Sequence, residues 1–391
     1  MKEGCQFEKI WMMVRHGTRN PNSKIIHKMR ERLPQLRDLI LENSPQGGEI
    51  GLCEEDMKAL RSWTNELEDM DEKMLTASGE EEMIELAERF QARFPDLFPE
   101  SYSNSTFLFR YTATQRTSAS ARAFTVGLFG RKMSYRVWYP PAVKRDPVLR
   151  FYKLCKRWKE QVRDNPEALS EQKKFEAGSE MQRTLINVSG RLNLNFTLSL
   201  EDVRLMYLTC AFETAWYRWK KSPWCAAFSE ENFKVLEFAE DLNSYWVDGY
   251  GYNLTYEQAC PAVTDMATHI IPVLSKQDTP RTVVYFTHSG TLLKILSRLG
   301  LYKDTDMLKH SLYQSLHSRL WRVSKIDTFG TNLAFILYKC DDGYHVLTMH
   351  QEEIVRIPGC EEHQELCPLD LFSKSIQDYI DGCNFELLCY S

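Results

Sequence analysis

The stretch Arg15-His16-Gly17-Thr18-Arg19-Asn20-Pro21 carries the most chemical information in this chain. A neutral imidazole is a competent nucleophile, and a free histidine is neutral in a large share of molecules near pH ~6.5. Two arginines flank His16, and their planar, permanently charged forks match the oxygens of a phosphoryl group. Transfer of such a group needs an in-line nucleophile and fixed positive charge around the equatorial oxygens. Gly17 lets the backbone come close to an anion. Types and spacing therefore point to phosphoryl chemistry, with His16 as nucleophile and Arg15 and Arg19 as phosphate ligands. A second group, Thr287-His288-Ser289-Gly290, lies far along the chain.

Both groups must be carried by elements that bring them together. Residues 7–14 are apolar and aromatic and read as a strand that delivers His16. Residues 282–286 are β-branched and aromatic and read as a buried strand that delivers His288. Functional groups in open α/β sheets gather at the carboxyl ends of strands, so the two histidines are expected to meet there. Residues 106–111 read as a further strand, followed by a helix over 115–128. Helices are expected at 27–43, where Pro34 should kink or restart the element, and at 56–67 and 77–94. Segments 333–339 and 345–349 read as a hairpin around Asp341-Asp342-Gly343. Residues 150–268 are helix-like, rich in tryptophan and poor in strand signals. The expected fold is α/β, a central mostly parallel sheet flanked by helices. Residues 1–149 and 269–391 would form the catalytic domain and 150–268 an inserted all-helical domain.

The 391 residues are 43 % hydrophobic and 26 % charged, a globular composition. A net charge of −5 argues against a non-specific nucleic-acid binder, but an acidic protein can still hold a basic pocket. No apolar run approaches the ~18–20 residues needed to span a bilayer. Eleven cysteines lack any C-x-x-C pair and any zinc-type interleaving with histidine. They read as disulfides in an oxidising compartment, with at least one thiol left over. Sequons at Asn104, Asn187, Asn195 and Asn253 agree. Residues 1–14 show no signal-peptide core. The expected location is secreted or in the endoplasmic reticulum lumen.

The seven-residue stretch resembles the Arg-His-Gly-x-Arg-x-Pro signature of the histidine acid phosphatase branch of the histidine phosphatase superfamily. That resemblance implies a phosphoglycerate-mutase-like fold, a phosphohistidine intermediate on His16, and phosphate held by Arg15 and Arg19. It also makes Arg116, within Arg110-Tyr111-Thr112-Ala113-Thr114-Gln115-Arg116, a third phosphate ligand. His288 becomes a hydrogen-bond donor to phosphate. Gly51-Leu52-Cys53, Leu75-Thr76-Ala77-Ser78-Gly79, Ser222-Pro223-Trp224-Cys225 and Gly249-Tyr250-Gly251 resemble the multiple inositol polyphosphate phosphatases, in their order. The implied partner is a small phosphorylated molecule such as phytate or 2,3-bisphosphoglycerate, with no metal and no organic cofactor. Lys24 adds a charge for such a substrate, and Arg110 is a secondary candidate for the site.

One departure stands out. The subfamily carries His-Ala-Glu at the second histidine, its Glu protonating the leaving oxygen, and related phytases carry His-Asp. This chain has His288-Ser289-Gly290-Thr291, with no carboxylate at either position. General acid catalysis is worth ~10²–10⁴-fold. The residues leave three readings open: a carboxylate from elsewhere, weak donation by Ser289, Thr291 or water, or a binder with little turnover. His310 and His317, seven apart, lack a third metal ligand and read as surface or core histidines. The aromatics of 207–252 read as core, and the acidic runs near 66–72 and 80–82 as solvated faces.

Overall fold

The computed structural model describes residues 4–43, 51–274, 279–315, 318–360, 362 and 365–391. A seven-stranded sheet runs through it: β1 (Cys5–Arg15), β2 (Phe107–Tyr111), β3 (Thr282–Thr287), β4 (Asn332–Cys340), β5 (Gly343–His350), β6 (Glu353–Ile354) and β7 (Leu366–Pro368). Its order is β2-β3-β1-β4-β5-β6, with β7 also pairing β5. β1, β2 and β3 form the parallel part, and the expected hairpin β4–β5 adds to it antiparallel. Four strands, β1, β2, β3 and β5, thus run one way.

Period-2 alternation explains why these strands are buried on both faces. Ile10, Met12 and Val14 of β1, with Val284 and Phe286 of β3, face one core. Trp11, Met13, Val283 and Tyr285 face the other. The first core is closed by the helices Ala77–Arg93 and Gln115–Ser134, through Met83, Leu86, Phe90, Ala121 and Phe124. The second is closed by Cys260–Ile270, Ser289–Arg298 and Leu369–Asp381, through Val263, Met266, Leu292, Ile295 and Phe372.

Among the described residues, no strand falls between 112 and 281. The helices there share a third core built on Trp224, Phe238 and Tyr245, which also takes in Met29, Leu33 and Leu36 from the Ser23–Asn43 helix and Trp321 from a late loop. That helix continues through Pro34 as one element, without the restart that the sequence allowed. An interior proline costs about 3 kcal/mol; burial of Leu33 and Leu36 on either side offsets it, at ~1.5–3 kcal/mol each.

Five disulfides tie the chain together: Cys5–Cys340, Cys155–Cys389, Cys210–Cys225, Cys260–Cys383 and Cys360–Cys367. Cys53 is free and exposed, the expected odd thiol. All four sequon asparagines are exposed. No described helix is long and apolar enough to cross a membrane.

Candidate active site

β1 ends at Arg15, and the next residues are held from every side. The Arg15 amide donates to Thr331 O, His16 N to Thr287 O at 3.1 Å, and Gly330 N to His16 O. Gly17 N donates to Ser120 Oγ at 3.1 Å. Thr18 donates through its amide and its hydroxyl to the two carboxylate oxygens of Glu82, at 2.8 and 2.6 Å. Gly17 has a steric reason to be glycine: a Cβ there would lie 2.3 Å from Gly79 O, and one on Gly79 would lie 2.2 Å from Thr18 O. The loop therefore rests backbone-to-backbone on the first turn of the Ala77–Arg93 helix, which Thr76 caps.

His16 is buried, and its Nδ1 lies 2.9 Å from Gly17 O. A carbonyl only accepts, so Nδ1 carries the proton and the Nε2 lone pair is left for attack. The ring stands 5.6 Å from that of His288 and 5.9 Å from that of Phe329. His288 follows β3. Its Nδ1 accepts from Arg116 Nη2 at 3.2 Å, because a guanidinium only donates, so Nε2 carries the proton and faces Thr112 Oγ1 at 2.9 Å. Arg116 sits in the first turn of the Gln115–Ser134 helix. Arg15 lies 3.1 Å from Asp327 and covers the Phe329 ring at 4.7 Å, with Arg19 over the same ring at 5.9 Å. The structure thus brings Arg15, His16, Arg19, Arg116 and His288 into one cluster.

Crowded positive charge and burial set the titration of the two imidazoles. Burial first, then Arg15 and Arg116, push His16 well below the usual imidazole value. Burial, then Arg116 and Arg150, push His288 down to about 2. Both rings are neutral at physiological pH, which leaves one unprotonated nitrogen on each. Burial, Arg15 and Arg116 also lower Arg19, to about 10. An anion placed among these groups would relieve the repulsion.

Other candidates fall elsewhere. Lys24 stands exposed on the first turn of the Ser23–Asn43 helix, within electrostatic reach of Glu201. Arg110 is taken by Asp146 at 2.6 Å and covers Tyr285. His310 pairs with Glu171 at 2.6 Å, and His317 lies outside the described residues. Cys340, Asp342 and His345 stand close enough for a metal, but Cys340 spends its sulfur on Cys5. The aromatics of 207–252 mostly line the helical core.

Sequence reasoning missed several neighbours of the site. Arg150 acts on both Arg116 and His288. Asp327, buried, is held by Arg15 and by the Ser289 hydroxyl. Both come from irregular stretches without a motif, so no local signal marked them. A cavity of about 440 Å³ opens beside the loop at Asn20 and Thr76, lined further by Trp63, Glu213 and Trp216.

Comparison with known proteins agrees with this geometry. Residues 6–357 match the histidine phosphatase superfamily (branch 2). Multiple inositol polyphosphate phosphatase 1 of Drosophila melanogaster is 36 % identical over 369 residues, covering 91 % of this chain and 76 % of that protein. Its human counterpart is 30 % identical over 355 residues, covering 86 % and 71 %. The phytase from D. castellii superposes with a TM-score of 0.80 at 17 % identity, covering all of this chain and 82 % of the other. This chain belongs to branch 2 of the histidine phosphatase superfamily, among its multiple inositol polyphosphate phosphatases.

Proposed function

We propose that the protein hydrolyses phosphate monoesters of inositol polyphosphates, phytate among them, through a phosphohistidine on His16. The observation that carries this reading is the position of the His16 ring, its Nε2 lone pair available, beside His288 and among arginines drawn from two distant segments. Arg15, Arg19 and Arg116 hold the phosphoryl oxygens, and His288, its Nε2–H on Thr112, positions Arg116 through Nδ1. Nε2 of His16 attacks phosphorus, the bond to the inositol oxygen breaks, and that oxygen takes a proton. Water then attacks the phosphohistidine, inorganic phosphate leaves, and His16 is restored. The phosphatase names of relatives at 36 % and 30 % identity support the substrate class.

Lys24, exposed just past the signature, serves outlying phosphates of a large substrate. Residues 1–149 and 269–391 act as the catalytic α/β unit, and 150–268 as a helical insertion that supplies Arg150. Five disulfides and four exposed sequon asparagines support a secreted or endoplasmic reticulum lumenal location.

The test is labelling with a ³²P-phosphorylated substrate, quenched in denaturant without acid. Wild type should carry acid-labile label and His16→Ala none, with turnover abolished. Label persisting in His16→Ala would remove the nucleophile assignment. Phytate bound without phosphate release would favour a non-catalytic binder, a reading that Gly290 alone motivates. Faster turnover of 2,3-bisphosphoglycerate than of phytate would shift the substrate class.

A further inference from the structure

Gly290 stands where the subfamily's proton donor would be, and its surroundings are specific. A Cβ built on Gly290 would lie 3.2 Å from Asp248 Oδ1 and 3.7 Å from Lys294 Nζ. The carboxylate missing from position 290 is thus matched by one arriving from another segment. Asp248 is the last residue of the Glu230–Asp248 helix, and Lys294 lies one turn beyond Gly290 in the Ser289–Arg298 helix. The two form an ion pair.

Each residue carries its charge at a costly place. A carboxylate at a helix C-terminus faces the negative pole of the helix dipole. Lys294 is fully buried, and removing an ammonium from water is costly even when it is paired. The rings of Trp158 and Tyr152 lie 4.3 and 5.2 Å from Nζ and fix the amine toward Asp248. The Asp248 side chain keeps 27 % of its surface accessible, so one member of the pair is open to a ligand while the other is sealed. The pair adjoins the phosphate cluster on two sides. The Asp248 charge reaches Asp327, which holds Arg15, and Tyr152, which Arg150 hydrogen-bonds. The charged and titratable groups facing the pair are Asp327, Tyr152 and Lys153, with Arg150 hydrogen-bonded to Tyr152.

We propose that Asp248 and Lys294 form the proton relay to the leaving oxygen, Asp248 touching the substrate and Lys294 supplying the proton. This rests on the phosphohistidine reading above. As the P–O bond breaks, its electron pair stays on the inositol oxygen. Asp248 passes that oxygen a proton and takes one from Lys294, which becomes a neutral amine. In the second half-reaction, water attacks phosphorus and its proton returns through Asp248 to Lys294, while the N–P electron pair returns to His16 Nε2. Burial makes Lys294 a better proton source than a solvated lysine, since its pKa is lowered. A lysine source also keeps the proton available at pH values where an isolated carboxyl has lost its own.

The experiment compares inositol hexakisphosphate, whose alkoxide must be protonated, with p-nitrophenyl phosphate, whose phenolate leaves unaided. Asp248→Asn should lower the rate at which the hexakisphosphate phosphorylates His16 ~10²–10⁴-fold and change the rate of His16 phosphorylation by the aryl phosphate little, since that step needs no proton. Asp248→Asn/Lys294→Met, which removes both charges together, should show the same selective loss and covers the case in which the single variant fails to fold. Lys294→Met alone should move the high-pH fall of the hexakisphosphate-to-aryl rate ratio down by several pH units, from the lysine toward the carboxyl range. Gly290 has no left-handed φ, so Gly290→Glu is sterically admissible once Asp248 is alanine, and that double variant should regain hexakisphosphate turnover. Equal losses on both substrates in folded variants, no loss, or an unmoved high-pH limb would overturn the relay. Wild type without any phosphohistidine would instead remove the reading beneath it.

Discussion

Replacing Asp327 by asparagine should tighten anion binding at pH 7.5 and change it little near pH 5. The Asp327 carboxyl is raised from 3.8 to about 6, chiefly by burial, with Asp248 adding to the effect while Arg15 and Ser289 oppose it. A carboxyl raised in the folded state contributes stability that is complete at low pH and lost as pH rises through about 6. At ~1.36 kcal/mol per pH unit, ionised Asp327 costs the fold on the order of 3 kcal/mol at pH 7.5. The same charge opposes substrate. Asp327 lies 3.1 Å from Arg15 Nη1, so an anion on the other face of that guanidinium sits roughly 5–6 Å from the carboxylate, given ordinary hydrogen-bond lengths. At an effective dielectric of ~20, that repulsion is about 3 kcal/mol per unit charge, and partial screening brings it to ~1.5–3 kcal/mol. Sulfate stays dianionic over this range and is the cleaner probe. Its inhibition constant against p-nitrophenyl phosphate should be ~10–100-fold lower in Asp327→Asn at pH 7.5, and the ratio of variant to wild type should approach one at pH 5. Calorimetry should show a Tm gain at pH 7.5 that falls to about half at pH 5 and vanishes only below the unfolded value of 3.8. A ratio that does not vary with pH, or weaker sulfate binding in the variant, would refute the reasoning and make Asp327 a clamp that orients Arg15.

Gly79→Ala should destabilise the protein by at least ~1–3 kcal/mol and depress activity, because its Cβ meets Thr18 O at 2.2 Å; Tm and kcat measured together check this. Thr112→Val strips the His288 Nε2–H of its partner, which should cost ~1–3 kcal/mol and lower activity. Thiol titration of protein unfolded without reductant should find one reactive thiol, Cys53, and none in Cys53→Ser. Removing Cys5–Cys340 by a double serine substitution should cost ~2–5 kcal/mol in chemical denaturation.

Much of the fold was legible because its strands are short, apolar and punctuated. Residues 7–14 and 282–286 became β1 and β3, extended by one or two residues at their ends. The hairpin around Asp341-Asp342-Gly343 formed where it was expected. β6 and β7, of two and three residues, have no periodicity to read. Pro34 has a local cost that reads as a break, but burial of Leu33 and Leu36 keeps the helix one element. The signature residues of the site were legible from one contiguous motif, and Arg116 and His288 from their resemblance to a family pattern. Asp327, Arg150, Asp248 and Lys294 were not, because each owes its place to packing between segments distant in sequence. Gly290 drew attention to the gap, but only three-dimensional proximity could put Asp248 there.

The order of strands in the sheet has a consequence for biosynthesis. β1 is an interior strand, yet both of its neighbours, β3 and β4, are encoded near the other end of the chain. Cys5 and Cys340, which close that pairing, are 335 residues apart. At a ribosomal rate of ~5–20 residues per second, the β1 segment waits on the order of half a minute for its partners. Such high contact order makes assembly slow and exposes an apolar strand in the meantime. The helical region emerges and can compact first, so His16 is among the earliest site residues made and among the last to be positioned. A nascent chain stalled before residue 340 should therefore carry a folded helical core and a His16 with no phosphate site around it.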